Sequence, residues 1–243
     1  PDTYYYGTEY RREQINAALQ SEDPRSIVPT TDELGHGTFL AGIAAGNPNI
    51  QNNFSGVVPG SDLVVVKLKQ AKQNIRQFFR VPSEAVAYQE NDIMFGVRYL
   101  VEIARSLSKP IAICIGIGSS QGSHDGRGAL PRFLSIYADQ PGIAVSIAAG
   151  NEGNTGHHFQ GTIGSGGEQS SLVELRVGTN VEGFSMQIWG NAPGTFSVDI
   201  LSPTGEYIPR IPARIGESRE IRFIFEETVV HVDYFLLETQ TGD

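Results

Sequence analysis

One cysteine, one tryptophan and two methionines are all that this 243-residue chain holds of those types. Cys114 has no partner for an internal disulfide, so the chain is no disulfide-stapled scaffold, and it says little about compartment. No stretch approaches the roughly 20 consecutive apolar residues of a membrane span, and no basic-then-apolar segment stands at the amino terminus. Positive charge is short as well. Eighteen Lys and Arg face 27 Asp and Glu, a formal charge of -9, which opposes attraction to phosphate backbones and argues against nucleic acid as a partner. What is present is 40% hydrophobic residues, 19% charged residues, 28 Gly and 13 Pro. That is the make-up of a globular chain with many turns, against disorder, collagen or coiled coil. The length allows one large domain or two small ones. Opening on Pro1-Asp2-Thr3 without an initiator Met, the chain reads as a processed piece of something longer.

The first part alternates helical and strand signals, as a parallel sheet covered by helices does. Thr8 is the expected N-cap of a short helix with Ile15, Ala18 and Leu19 on one face. A second helix is expected from His36 to Gly46-Asn47-Pro48, and Leu63 to Leu68 reads as a strand. From Asn91-Asp92 a longer helix carries Ile93, Val97, Leu100, Val101, Ala104 and Leu107 at the helical period up to Pro110. Ile111 to Ile117 and Gly142 to Ala149 are apolar runs expected to be strands, the first buried on both faces with Cys114 as a small buried hydrophobe. A short helix is expected between them around Arg132 to Ala138. The whole predicts a doubly wound α/β sheet. After Gly161 to Gly167 the pattern changes to short alternating runs at 172–177, 184–189, 196–201, 221–225 and 229–237, with a turn at Ser202-Pro203-Thr204-Gly205. These predict an antiparallel, jelly-roll-like β segment, and the division falls between residues 1–165 and 166–243.

The most informative segment is Gly35-His36-Gly37-Thr38-Phe39-Leu40-Ala41-Gly42. A histidine opening a helix keeps its ring at the sheet edge, while small residues behind it let the helix pack closely. An imidazole, with an unperturbed pKa of about 6.5, can take a proton from a hydroxyl and return it to a leaving amine. A bare helix-terminal histidine beside a Gly-rich turn is the plainer reading. Ala148-Ala149-Gly150-Asn151-Glu152-Gly153 closes the second apolar strand. A carboxamide at the carboxyl end of a parallel strand can point at a reacting carbonyl, or Asn151 can simply supply a left-handed turn.

Together these segments resemble the subtilisin-like serine proteases, whose motifs H-G-T-x-x-A-G and A-A-G-N stand here as His36 to Gly42 and Ala148 to Asn151. The resemblance implies His36 as general base and Asn151 as oxyanion donor. It also implies Gly116, Ile117 and Gly118 as a strand edge pairing with extended peptide, and Ala148, Ala149 and Gly150 as the opposite wall of the specificity pocket. Gly116 and Gly118 serve equally well for close packing at a strand end. Tyr5 to Tyr10, Ala87 to Ile93 and Gly118 to Gly126 are similar to the Csp-type spore-germination branch of that family. There a jelly-roll domain sits between the oxyanion Asn and the nucleophilic Ser, which would account for the β-rich tail here. The family resemblance as a whole implies a secreted or spore-associated bacterial protein, with roles such as proprotein processing.

The family also needs an Asp before the His and a Ser in G-T-S-x-A after the Asn. Asp2 is followed by Thr3-Tyr4 rather than Gly, Asp32 lies too close to His36, and the Gly-Thr pairs at Gly161, Gly178 and Gly194 continue with Ile163, Asn180 and Phe196. The expectation is a fragment of an endopeptidase, inactive alone, whose partners are a protein or peptide substrate and the missing segments of its own parent chain. A pseudoprotease scaffold is a second reading. A third is an α/β-hydrolase-type esterase, with Ser120 in Gly118-Ser119-Ser120-Gln121-Gly122 as nucleophile and His157 or His231 as base. Gly116-Ile117-Gly118 lacks the third Gly of a dinucleotide site, and His157-His158 lacks the spacing of a metal site. The resemblance brings calcium with it, yet no loop clusters carboxylates at ligand spacing, and neither cofactor nor metal is expected. The basic run Lys67, Lys69, Lys72, Arg76 and Arg80 reads as a solvated strand end and loop.

Overall fold

The computed structural model describes residues 4, 6–122, 124–164, 170–191, 194–214 and 216–235. Asp2, Tyr5, Ser123 and the expected boundary at 165–166 lie outside them. The elements in order are α1 (Arg12–Gln20), α2 (Pro24–Ile27), α3 (His36–Ala45), α4 (Gln73–Phe78), α5 (Glu90–Ser106), β1 (Ile111–Ile115), α6 (Ala129–Ala138), β2 (Ile143–Ile147), β3 (Val198–Leu201), β4 (Tyr207–Ile211), β5 (Ser218–Phe223) and β6 (Thr228–Asp233). They fall into two compact units.

The first unit takes the described residues within Pro1–Lys69, Asn91–Gly118 and Gly142–Ala148. β1 and β2 pair in parallel, Ile111 opposite Ile143 through Ile115 opposite Ile147. Ile113 and Ile115 point into the core, together with Val97, Val101 and Ala104 among the buried residues of α5. The alternate residues Ala112 and Cys114 are exposed, so the strand is not buried on both faces and Cys114 is not a core hydrophobe. Leu63 to Leu68 forms no strand. Its backbone alternates half-buried Val64, Val66 and Leu68 with exposed neighbours, and Val66 packs on Gly96 of α5. α1 starts later than Thr8 suggested, because the Gln14 side-chain oxygen accepts the Arg11 N–H at 3.0 Å and fixes the start there. Asp92, buried near the start of α5, accepts the Tyr6 hydroxyl at 2.9 Å and pairs with Lys69 at 3.6 Å.

The end of α3 shows how this unit satisfies a helix terminus. The last carbonyls of a helix have no partner within it. Here the N–H groups of Gly56, Val57 and Val58 donate to the carbonyls of Gly46, Ile43 and Ala44 at 2.9, 3.0 and 2.9 Å. The approach is so close that a Cβ at Gly56 would stand 2.3 Å from the Gly46 nitrogen.

The second unit takes the described residues within Gln70–Glu90, Ser119–Pro141 and Ala149–Asp243. β3 and β4 form one antiparallel hairpin, β5 and β6 another. They share a core of Ile211, Ile221 and Phe223, flanked by Ile200, Ile208, Val230, Val232 and Tyr234. The turn at Ser202–Gly205 is as expected, with Gly205 at φ +97°. The runs at 172–177 and 184–189 form no strands, and their residues are exposed. Arg76 of α4 donates to the Gln70 side chain and to the carbonyls of Pro82, Ser83 and Ala85, all within 2.8 Å, holding the loop after the helix.

Candidate active site

α3 begins where a glycine permits it. Gly35, its N-cap, stands at φ +75°, and the helix follows immediately with His36. A glycine cap has no side-chain oxygen to offer the first free N–H groups. Asp32 supplies it instead: one carboxylate oxygen accepts the N–H of Leu34 (3.3 Å) and Gly35 (2.9 Å), the other the N–H and hydroxyl of Thr38 (both 2.8 Å). The Thr38 N–H, then the Thr38 hydroxyl, with smaller help from Gly35 and Leu34, hold this carboxyl at about 2 against its usual 3.8. Its role escaped the sequence reading, which weighed Asp32 only as a triad member. The signal was an acidic residue just upstream of a helix start.

His36 is exposed, at the edge its sequence position predicted. Its Cε1 lies 3.5 Å from where a Cβ would stand on Gly116, the residue just past the end of β1. Leu40, one turn along α3, comes closer still, with its Cδ1 2.1 Å from that point. Gly116 is therefore a close-packing glycine whatever else it does: a side chain there would force Leu40 to turn away. Gly118 differs, since the Ala148 carbonyl at 3.4 Å is the nearest neighbour a Cβ would meet. The Ala148 N–H extends the ladder by donating to the Ile115 carbonyl at 3.0 Å. The first unit thus gathers His36, Gly116, Ile117, Gly118 and Ala148 at the carboxyl ends of β1 and β2, where open parallel sheets present ligand-handling groups.

Ala149, Gly150 and Asn151 follow along the chain in the second unit, all exposed, with Gly150 at φ +88° making the turn. Glu152 next to them accepts the Ser120 hydroxyl at 2.9 Å and lies 3.6 Å from His157 Nδ1. The Ser120 hydroxyl thus donates to a carboxylate rather than to an imidazole. His124 stacks on His158 with centroids 5.6 Å apart, and His231 on β6 lies 3.9 Å from Glu220.

Among the described residues no three His, Cys, Asp or Glu side chains are grouped so as to hold a metal ion. No helix among the described residues is long and apolar enough to cross a membrane. The basic run is largely occupied within the fold: Lys67 donates to the Thr31 carbonyl, Lys69 pairs with Asp92, and Arg76 holds its loop.

Residues 6–173, well over half of the chain, match the Subtilase family. A subtilisin of Bacillus sp. (strain TA39) is 29% identical over 145 residues, covering 60% of this chain and 29% of its own length. Mycosin-3 of Mycobacterium tuberculosis (strain ATCC 25618 / H37Rv) is 27% identical over 191 residues, 74% of this chain and 39% of its own. The solved structure of the Clostridium perfringens CspB protease superposes with a TM-score of 0.64 at 29% identity, over 89% of this chain and 43% of that one. The chain spans less than half the length of each of these relatives. The matched region takes in the His36 segment, both parallel strands and the Asn151 turn, and the chain belongs to the Subtilase family and has its α/β fold.

Proposed function

We propose that this chain is part of a serine endopeptidase that hydrolyses peptide bonds in protein substrates, and that His36 is its general base. The observation that carries the reading is the imidazole at the start of α3, beside Gly116 at the carboxyl end of β1. In the proposed reaction a serine hydroxyl attacks the scissile carbonyl, His36 takes its proton and passes it to the leaving amine, and the Asn151 carboxamide donates to the oxyanion. The edge Gly116-Ile117-Gly118, half-buried at its first two residues and exposed at Gly118, takes the substrate main chain as an added strand, with Ala148, Ala149 and Gly150 as the facing wall. The serine and the aspartate come from other segments of the parent chain, so the isolated chain does not hydrolyse peptides. Residues 1–165 are the catalytic part, and 166–243 a β-rich insert of jelly-roll type. The shared core of the two hairpins and the end of the family match at residue 173 support that division.

The test uses the full-length parent. Asn151→Ala is expected to lower kcat by about 10² to 10³ with KM little changed, the effect of losing one oxyanion donor. His36→Ala is expected to lower it further. Full proteolysis in the His36→Ala parent would end this reading. A wild-type parent that binds peptide without cleaving it would make the fold a binding scaffold. Labelling of Ser120 in the isolated chain by a serine-directed phosphonate would favour an esterase.

A further inference from the structure

We infer that Asp32 is a positioning residue for His36, bracketing the helix start so that the imidazole is held in one place. The inference rests on the reading of His36 as general base. His36 stands between Gly35 and Gly37, the two neighbours least able to restrain its backbone. Restraint has to come from elsewhere. The two oxygens of Asp32 divide their bonds about His36, one accepting the N–H groups of Leu34 and Gly35 before it, the other accepting the N–H and hydroxyl of Thr38 after it. One carboxylate thus ties residues 34 and 35, just before His36, to Thr38 in the first turn of α3. The histidine motif acquires a physical reason in the same geometry: Thr38 carries both donors that a single carboxylate oxygen accepts. That oxygen lies 3.5 Å from where a Cβ would stand on Gly37, an ordinary contact. The positive end of the helix dipole favours the same charge, and the carboxyl is ionised at any pH well above about 2. Asp32 acts through the backbone, since its bonds run to residues 34, 35 and 38.

Histidine-selective NMR on the 243-residue chain tests this, because five imidazoles give five Cε1–H signals and four of them are internal controls. In Asp32→Ala the Thr38 amide is expected to exchange at least about tenfold faster. The His36 signal should shift and broaden, while those of His124, His157, His158 and His231 stay in place. Asp32→Asn, which keeps one acceptor oxygen, should restore part of the effect. If Asp32→Ala does not fold, Thr38→Val carries the test, since it removes the hydroxyl bond and leaves the N–H bond. An unmoved His36 signal in a folded variant whose Thr38 amide has lost protection would overturn the inference and leave Asp32 as a helix cap alone. In the full-length parent, Asp32→Ala should lower kcat by about 10- to 100-fold at nearly constant KM, as a misplaced catalytic group does. The two claims fail separately. A His36 signal that moves in Asp32→Ala, combined with full proteolysis by His36→Ala, would sink the reading of His36 as general base and leave the positioning role standing.

Discussion

Gly116 has no room for a side chain while Leu40 stays where it is. A methyl group there would meet Leu40 Cδ1 at 2.1 Å and touch the His36 ring at an ordinary 3.5 Å. Leu40 is a flexible, half-buried side chain, so it can yield, but only by tilting away from the strand end. Gly116→Ala is therefore expected to destabilise the chain by about 1–3 kcal/mol, the range for overpacking. Leu40→Ala should relieve most of that penalty when combined with it. Urea denaturation of the four members of this double-mutant cycle measures the coupling directly. Additive losses would show that Leu40 is not the obstacle. The residue types at this corner were legible as a motif, and the ring stands at the edge where a helix-opening histidine belongs. The contribution of Asp32 was not legible in the same way. It depends on the loop folding back across Gly35 to meet Thr38, a contact that neither helical nor strand periodicity encodes.

α3 and α5 were readable because their signals are local: an apolar period in each, stopped by Gly46-Asn47-Pro48 in one case and ahead of Pro110 in the other. Strands are less readable, since a strand exists only by pairing with another. The apolar run at 63–68 and the alternating runs at 172–177 and 184–189 read as strands, yet form no ladder among the described residues. β4 went unforeseen because Pro209 interrupts its run, and proline, lacking an N–H, is tolerated in a strand where no ladder bond needs that donor. Two elements carry sharp expectations. Gly56→Ala should cost about 3 kcal/mol, at the upper end for overpacking, because the obstacle at 2.3 Å is backbone of α3 rather than a side chain that can turn away. Loss of the α3 amides' hydrogen-exchange protection ahead of those in α5 would confirm that the segment 56–58 is the cap. In the hairpin core, Ile211 is fully buried, and Ile211→Ala should cost about 2–5 kcal/mol by chemical denaturation. A loss under 1 kcal/mol would mean that the two hairpins do not depend on that core.

Across the molecule, the carboxylates with resolved shifts all move the same way. Asp32 and Glu226 are held at about 2, the latter chiefly by the Thr204 hydroxyl and then Ser202, and Asp62, Glu84, Glu102 and Glu220 also lie below their usual values. A carboxyl more acidic folded than unfolded stabilises the fold fully above its unfolded pKa and loses that contribution as pH falls. The Tm should therefore decline from about pH 5.5, one unit above the ordinary Glu value of 4.5, where unfolded Glu begins to protonate, down to about pH 2. Glu226→Gln should make that decline shallower. The tyrosines move oppositely: Tyr6, Tyr99 and Tyr234, chiefly by burial, and Tyr207, chiefly through its bond to Asp199, are raised above 10.0. Their neutral forms are favoured in the folded chain, so stability should fall again as pH rises past 10. The placement of Cys114 has a practical consequence. It is the one sulfhydryl in the sequence, it faces outward from β1, and Gly116 lies two positions further along. A maleimide fluorophore would attach at that single address, giving an optical gauge of the strand terminus with no engineered residue.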